Sequence, residues 1–217
     1  TKPITVTADD VYIQDLKLEG NRAAGGADAA AIGVTSATGL RITGVTIVNA
    51  GSSAIALGNT VVDALISGCH IEAPGLSGIQ FYGSCSNSRA IGNYILNSNY
   101  DGANGHAGIA VLGTSSGLDG ITVQGNTIIG GASNCVRVSA AGGNNPTHCI
   151  VNGNICEDSG WGGGSAPAGA AVAVAGEGIA ITATSCVISN NTVRKSEVTG
   201  VLVFGSCSDV IVNGNMS

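Results

Sequence analysis

Apolar residues recur at alternate positions in short runs along the whole chain. Aligned on one column, these runs read VYIQDLKL, LRITGVTI, ALISGCHI, SRAIGNYI, ITVQGNTI, CIVNGNIC, CVISNNTV and VIVNGNMS. Equivalent positions of successive runs are most often 24 residues apart, and the longer spacings indicate inserted residues. Alternation with a period of two is typical of β-strands. Self-similarity at a fixed period of this size indicates a repeat architecture.

Each run begins as one strand and ends as another, and a further strand recurs between runs. The strand between runs reads AIGV, AIAL, GIQF, GIAV, CVRV, AVAV and GVLV, with predicted inward residues Ile32, Ile55, Ile79, Ile109, Val136, Val172 and Val201. The strand that ends each run places Ile47, Ile71, Ile95, Ile128, Cys156 and Val193 in one column. Such short strands can bury a face only by stacking on copies of themselves. We therefore predict an all-β, single-stranded parallel β-helix over residues 1–217, with about eight coils of about 24 residues and three short strands each.

Asparagine recurs at the sixth position of five of these runs. The resulting column contains Asn93, Asn126, Asn154, Asn191 and Asn215. An asparagine at the same corner of successive coils can adopt a left-handed backbone and hydrogen-bond the asparagines above and below it. We expect this column to form a ladder at one corner of the solenoid.

The composition fits a narrow core made of small and β-branched side chains. The chain has 35 glycines, 44% hydrophobic residues and 3% aromatic residues, which favours short strands and tight corners over helices. Its seven cysteines lack CxxC spacing, so neither a zinc site nor a closed disulfide framework is expected. Cys149 and Cys186 share a predicted inward column in neighbouring coils, where strand spacing permits a disulfide. Buried free thiols are the alternative that we favour.

Charge and hydropathy exclude two classes of partner. The formal net charge is −6 and no basic cluster is present, so the electrostatic attraction that drives nucleic-acid binding is missing. No apolar run approaches the roughly 20 residues that span a bilayer, so we expect no membrane insertion. The chain opens on TKPITV and stops at NGNMS, and we interpret it as part of a longer protein.

The sequences GNTI, GNIC, NNTV and GNMS after alternating strands resemble the right-handed parallel β-helix of the pectin-lyase-like group. The resemblance covers essentially the whole chain. That group includes pectate lyases, polygalacturonases, alginate-modifying enzymes and bacteriophage tailspikes, and this chain is most like a tailspike. The resemblance implies a right-handed coil, an extracellular or virion location and a polysaccharide partner.

Insertions relative to the 24-residue unit predict a groove. Segments 94–108 and 155–171 lengthen the corner before the strands AGIAVLG and AAVAVAG, and segments 112–121, 139–150 and 175–187 lengthen the corner after this set of strands. Long loops on a rigid scaffold concentrate binding residues. Alternation places Gln80, Tyr82, Ala110, Leu112 and Arg137 on the floor. This floor has no carboxylate, unlike the clefts of pectate lyases and polygalacturonases.

The predicted groove walls carry the candidate catalytic residues. Asp101 and His106 lie in one inserted corner, and Glu157 and Asp158 lie in another. These corners are two coils apart, roughly 10 Å by strand spacing. Inverting glycoside hydrolases hold their two carboxyl groups about 6.5–9.5 Å apart, so we assign Asp101 with Glu157 or Asp158 as acid and base. Solvated loop carboxylates are the alternative interpretation.

Candidate substrate-binding residues lie beside these carboxylates. Trp161 occupies a glycine-rich loop and offers an apolar face on which a sugar ring can stack. Tyr100, Tyr82 and Gln80 supply further contacts, and Arg137 can hold a sugar carboxylate or hydroxyl groups. Asp119 and His148 face the groove from the opposite side.

We expect no cofactor, with calcium as the alternative. Residues 97–102 match the first half of a calcium loop, but Gly108 stands where a bidentate glutamate is required.

An outward row in the strands before the asparagine corner is apolar. Leu65, Ile150, Val187 and Ile211 occupy it, and an exposed apolar stripe of this kind fits a homotrimer. A face of β-branched residues without a partner is the alternative.

Three functions follow from the sequence. The leading hypothesis is a tailspike-like β-helix that recognises a bacterial surface polysaccharide, with or without depolymerising it. A lyase or epimerase with Tyr82, Tyr100 or His106 as base is the second, and a non-catalytic shaft or adhesin is the third.

Overall fold

The computed structural model describes residues 4–20, 30–99, 106–114, 117–140, 144–160, 179–196, 200–204 and 207–216. Within these residues the chain forms 23 short strands in three parallel sheets, and no helix. Each sheet takes one strand from each successive coil, so strands that are neighbours in a sheet are three apart along the chain. The predicted β-solenoid is therefore confirmed.

The first sheet has eight strands: β1 (Ile4–Val6), β4 (Ile32–Thr38), β7 (Ile55–Val62), β10 (Ile79–Gly83), β13 (Ala107–Gly113), β16 (Asn134–Ala140), β19 (Ile179–Ile181) and β22 (Val201–Val203). The second sheet has eight: β2 (Tyr12–Gln14), β5 (Arg41–Thr43), β8 (Leu65–Ser67), β11 (Arg89–Ile91), β14 (Thr122–Gln124), β17 (Ile150–Asn152), β20 (Val187–Ser189) and β23 (Ile211–Asn213). The third sheet has seven: β3 (Lys17–Glu19), β6 (Thr46–Val48), β9 (His70–Glu72), β12 (Tyr94–Ser98), β15 (Thr127–Gly131), β18 (Ile155–Ser159) and β21 (Thr192–Arg194).

Inward side chains stack in columns that run through the coils. In the third sheet the predicted column of Ile47, Ile71, Ile95, Ile128, Cys156 and Val193 is confirmed by the register of adjacent strands. These side chains are at most 2% exposed. Burying apolar surface contributes roughly 25 cal/mol per Å², so the stacked columns supply the main driving force for the fold.

One member of the first-sheet column was predicted wrongly. Ile179, and not Val172, lies opposite Val136, and Val201 follows Ile179. AVAV and IAI both alternate, so the period alone could not decide which of the two forms the strand next to β16. Ile179 and Ile181 are both fully buried and continue the column of large β-branched side chains. The insertion therefore precedes this strand, and the predicted lengthening of the corner over 175–187 is wrong.

All seven cysteines are free thiols, and all except the half-buried Cys207 are buried. Cys149 and Cys186 are neighbours in adjacent coils, where the Cys149 amide donates a hydrogen bond to the Cys186 Sγ at 3.3 Å. The preferred interpretation of small apolar fillers in a slim core is confirmed. Burial raises the pKa of Cys85 to about 12, so this thiol stays protonated.

The asparagine ladder is also confirmed. The Nδ2 of Asn93 donates to the Oδ1 of Asn126 at 2.9 Å, and the same bond, with the same length, links each later pair. Each Oδ1 also accepts the backbone N–H of the preceding asparagine, at 2.9–3.0 Å. Each Nδ2 also donates to a backbone carbonyl, as Asn126 does to Ala90 at 3.0 Å. Buried amides with both ends paired fix the corner of each coil.

The expected left-handed backbone lies one residue before each asparagine. Gly92, Gly125, Gly153, Asn190 and Gly214 have φ between 54° and 63°. Glycine and asparagine adopt this conformation at low cost. The chain therefore turns before the asparagine, and the following amide side chain points into the corner.

Replacing Asn126 by alanine should lower the free energy of unfolding by about 3 kcal/mol, because several buried partners lose a hydrogen bond at once. Gln124→Ala is the matched control, since Gln124 is exposed in the same coil and should change stability by less than about 0.5 kcal/mol. Urea unfolding followed by circular dichroism compares them. Equal losses in the two variants would contradict a stabilising role for the ladder.

Candidate functional site

The outer face of the first sheet has a column of residues that changes in size along the solenoid. Strand register places Thr5, Gly33, Ala56, Gln80, Ala110 and Arg137 next to one another in that order. The side chains at 33 and 56 are small, so the surface is recessed over β4 and β7. A cleft of about 300 Å³ lies there.

The described residues that line the cleft combine apolar groups with uncharged polar groups. Backbone and side chains of Ile4, Thr5, Ala30, Gly33, Val34, Thr35, Ser52, Ser53, Ala56, Gln80 and Tyr82 form this lining. The buried hydroxyl of Ser53 donates to the Oε1 of Gln80 at 2.9 Å and holds its carboxamide in place. Two predicted substrate-binding residues, Gln80 and Tyr82, therefore belong to one cleft.

Tyr82 forms the wall at one end of the cleft. Its ring lies directly over Gly58, where any Cβ would collide with the ring and with the phenol oxygen. Tyr82 also packs against Ala107, Ala110 and Leu112, which are buried on the far side. Gly58 therefore allows the ring to lie down on β7.

The observed cleft shares Gln80 and Tyr82 with the predicted groove floor but extends from them in the opposite direction along the sheet. The predicted floor continues through Ala110 and Leu112, and these residues are 0% and 7% exposed. The open cleft lies instead over β1, β4, β7 and β10. Insertion lengths indicated where loops leave the coils, but the decisive signal was the small outward residues Gly33, Ala56 and Gly58, which the sequence interpretation missed.

His106 and Arg137 lie near each other beyond Tyr82. The Nδ1 of His106 is 3.1 Å from the buried hydroxyl of Ser77. Burial lowers the pKa of His106, and the charge of Arg137 lowers it further, so the imidazole is neutral near pH 7. The Nε of Arg137 donates to Ser139 at 2.9 Å.

Glu157 and Asp158 were expected in an inserted corner, but they are strand residues. Both belong to β18 of the third sheet, because this strand continues to Ser159 before the insertion begins. The Nζ of Lys195 lies 3.0 Å from Glu157 Oε1 and 3.6 Å from Asp158 Oδ1. The hydrogen bond to Glu157 is the main cause of a raised pKa at Lys195. The two carboxylates are therefore bound to a lysine, on a different sheet from the cleft.

Asp119 and His148 form an exposed pair at the corner between the first and second sheets. Asp119 Oδ1 lies 2.6 Å from His148 Nδ1 and accepts a hydrogen bond of 2.6 Å from Thr147. The Thr147 bond, followed by the His148 bond, lowers the pKa of Asp119. The bond to Asp119 raises the pKa of His148.

Asp101, Tyr100 and Trp161 lie outside the described residues, so their assigned roles stay predictions. The same holds for half of the candidate calcium loop, since residues 100–105 are not described. In the described part of the chain, no group of three or more His, Cys, Asp or Glu side chains could hold a metal ion. None of its segments is a helix long and apolar enough to cross a membrane.

Comparison with known families agrees with the three-sheet solenoid. Residues 30–216 match the family described as "Right handed beta helix region". The chain therefore belongs to the right-handed β-helix family. No curated protein matches it.

The histidine environments predict an order of titration. In an NMR pH titration, His148 should titrate above the ordinary value of 6.5 and His106 below it. Asp119→Asn removes the carboxylate that stabilises the imidazolium of His148, so the pKa of His148 should fall towards 6.5. The His106 resonance in the same variant is the control and should not move. A His148 pKa unaffected by the substitution would contradict the pairing.

Proposed function

We propose that this protein is an extracellular or virion β-helix that recognises a bacterial surface polysaccharide through the cleft on its first sheet. The observation that carries the proposal is the cleft itself, built by Gly33 and Ala56 on its floor and Tyr82 at its end. A recessed surface with a few convergent polar groups is the usual form of a ligand site.

The rigidity of the cleft supports recognition. Gln80 is held by Ser53, and Tyr82 is held between Gly58 and the buried outer face of β13. Side chains that are already fixed lose little conformational entropy when a ligand binds. A tyrosine offers both a ring face and a hydroxyl, a combination suited to sugars.

A tailspike-like assembly is the finer form of this proposal. The outward row of the second sheet includes Ile150 and Ile211, which are 43% and 55% exposed. Leu65 and Val187 in the same row are half-buried. Three solenoids standing side by side would cover this stripe, so the proposal includes a homotrimer.

Depolymerisation is less well supported than binding. Glu157 and Asp158 are paired with Lys195 on the third sheet, whereas the cleft lies on the first. The assignment of Asp101 with Glu157 or Asp158 as acid and base is therefore the weaker part of the tailspike hypothesis.

A lyase or epimerase is the second candidate, and one observation favours it. His106 is half-buried, and burial lowers its pKa, so the neutral imidazole can accept a proton from a sugar carbon. Arg137 contributes to the same shift and lies where it can hold a sugar carboxylate. A non-catalytic shaft is favoured if no glycan binds.

Ala56→Leu should weaken polysaccharide binding at least about tenfold, because the added side chain fills the cleft without entering the core. Thr127→Leu is the matched control, since residue 127 also faces outward in a β-strand but lies on the third sheet. Binding to capsular and lipopolysaccharide fractions is measured by biolayer interferometry. If both variants bind as the wild type does, the cleft is not the site. If the wild-type protein binds neither fraction, the proposed function is wrong.

The catalytic assignments predict distinct losses. Under the hydrolase hypothesis, Asp101→Asn and Glu157→Gln should each reduce release of reducing ends by about 100-fold or more. Under the lyase hypothesis, His106→Gln should remove an unsaturated product that absorbs in the ultraviolet, while Glu157→Gln leaves it unchanged. Depolymerisation unaffected by all three substitutions would reject both assignments.

A further inference from the structure

We propose that the cleft binds a short, uncharged sugar segment that ends at Tyr82, and not an acidic polysaccharide that runs along the whole first sheet. This inference rests on the proposed function and names the class of ligand that the cleft would take. It follows from the charge of the lining, from its hydrogen-bonding groups and from the way in which the cleft ends.

The charge of the lining disfavours an acidic ligand. Among the described residues that line the cleft, none carries a charge. A carboxylate or sulfate that entered would lose hydration without gaining a cation from these residues, and an unpaired buried charge is costly. Arg137 lies two strands further along the sheet, beyond β13. A neutral sugar carries no such penalty.

The polar groups of the lining match sugar hydroxyl or acetamido groups. The Oε1 of Gln80 accepts a hydrogen bond from Ser53, which leaves its NH₂ group as the donor for a ligand. Thr5, Thr35 and Ser52 carry hydroxyl groups, which both donate and accept. Sugar hydroxyls also donate and accept, whereas an ionised carboxylate only accepts. The lining therefore suits a ligand with both capacities.

The cleft ends where β13 begins. Tyr82 stands at this end, and the outward residues behind it, Ala110 and Leu112, are buried. A polymer lying along the solenoid axis could not pass over them without displacing whatever covers them. The ligand is therefore a chain end or a side branch, in contact with the outer faces of β1, β4, β7 and β10.

The experiment separates neutral from acidic fragments. Oligosaccharides of two to four sugars, prepared from the capsular and lipopolysaccharide fractions, are divided by anion exchange into neutral and acidic pools. We expect the neutral pool to bind at least about tenfold more tightly by calorimetry. Its affinity should change little between about 50 and about 500 mM NaCl, since no ion pair is screened. The affinity of the neutral pool should also be independent of fragment length. In a continuous groove, affinity would instead rise with fragment length.

A pair of substitutions at one position tests the role of charge. Ala56→Met fills part of the cleft without adding charge. It should weaken binding of the neutral pool and should not produce binding of the acidic pool. Ala56→Lys adds a cation of similar length and should gain binding of the acidic pool. Thr127→Lys, outward on the third sheet, controls for non-specific attraction of acidic fragments.

The outcomes are distinguishable. Wild-type binding of the acidic pool alone, lost in Ala56→Leu, would overturn this inference while leaving the proposed function intact. Affinity that grows with fragment length would overturn the terminal position of the ligand. Binding of neither pool, together with no binding of the intact polysaccharides, would remove the proposed function itself.

Discussion

Everything in this structure depends on coils stacking in register, and the asparagine ladder is where that register is most strongly specified. Each amide from Asn93 to Asn215 bonds its neighbour and a backbone carbonyl at the same corner. A slip of one residue would break these bonds and turn each inward column outward. Because the ladder fixes one corner, the outward residues of neighbouring coils are held one strand spacing apart, about 4.8 Å.

The cleft arises from this spacing and from side-chain size. In a flat parallel sheet, an outward column of similar residues makes a continuous surface. Here the column changes from Gly33 and Ala56 to Gln80, and Tyr82 lies across Gly58. A recess therefore forms over these strands, and Ala30, Ser52 and Ser53 from the corners before β4 and β7 complete its lining. Sites built on strands are held more precisely than sites on loops.

Several ionisable groups that look suited to catalysis have structural partners. Glu157 and Asp158 bind Lys195, and Asp119 binds Thr147 and His148. His106 differs, since its partner Ser77 is uncharged and burial keeps its imidazole neutral. In the described residues, the cleft and the charged groups are thus separated. Under the proposed function, that separation favours recognition of a glycan over its cleavage.

The sequence by itself determined the fold, because two periods act together: alternation assigns each side chain to a face, and the repeat of about 24 residues assigns it to a column. The columns of the third sheet and the partners of Asn126 and Asn154 follow from these periods alone. The two periods could not decide whether Val172 or Ile179 lies in the inward column, since the sequences around both residues alternate. These periods also could not show that Ala110 and Leu112 are buried while the half-buried Gly33 and Ala56 line a cleft. Alternation states only that a side chain points outward, whereas its exposure depends on what packs over it. The place of the cleft was therefore decided by the tertiary structure.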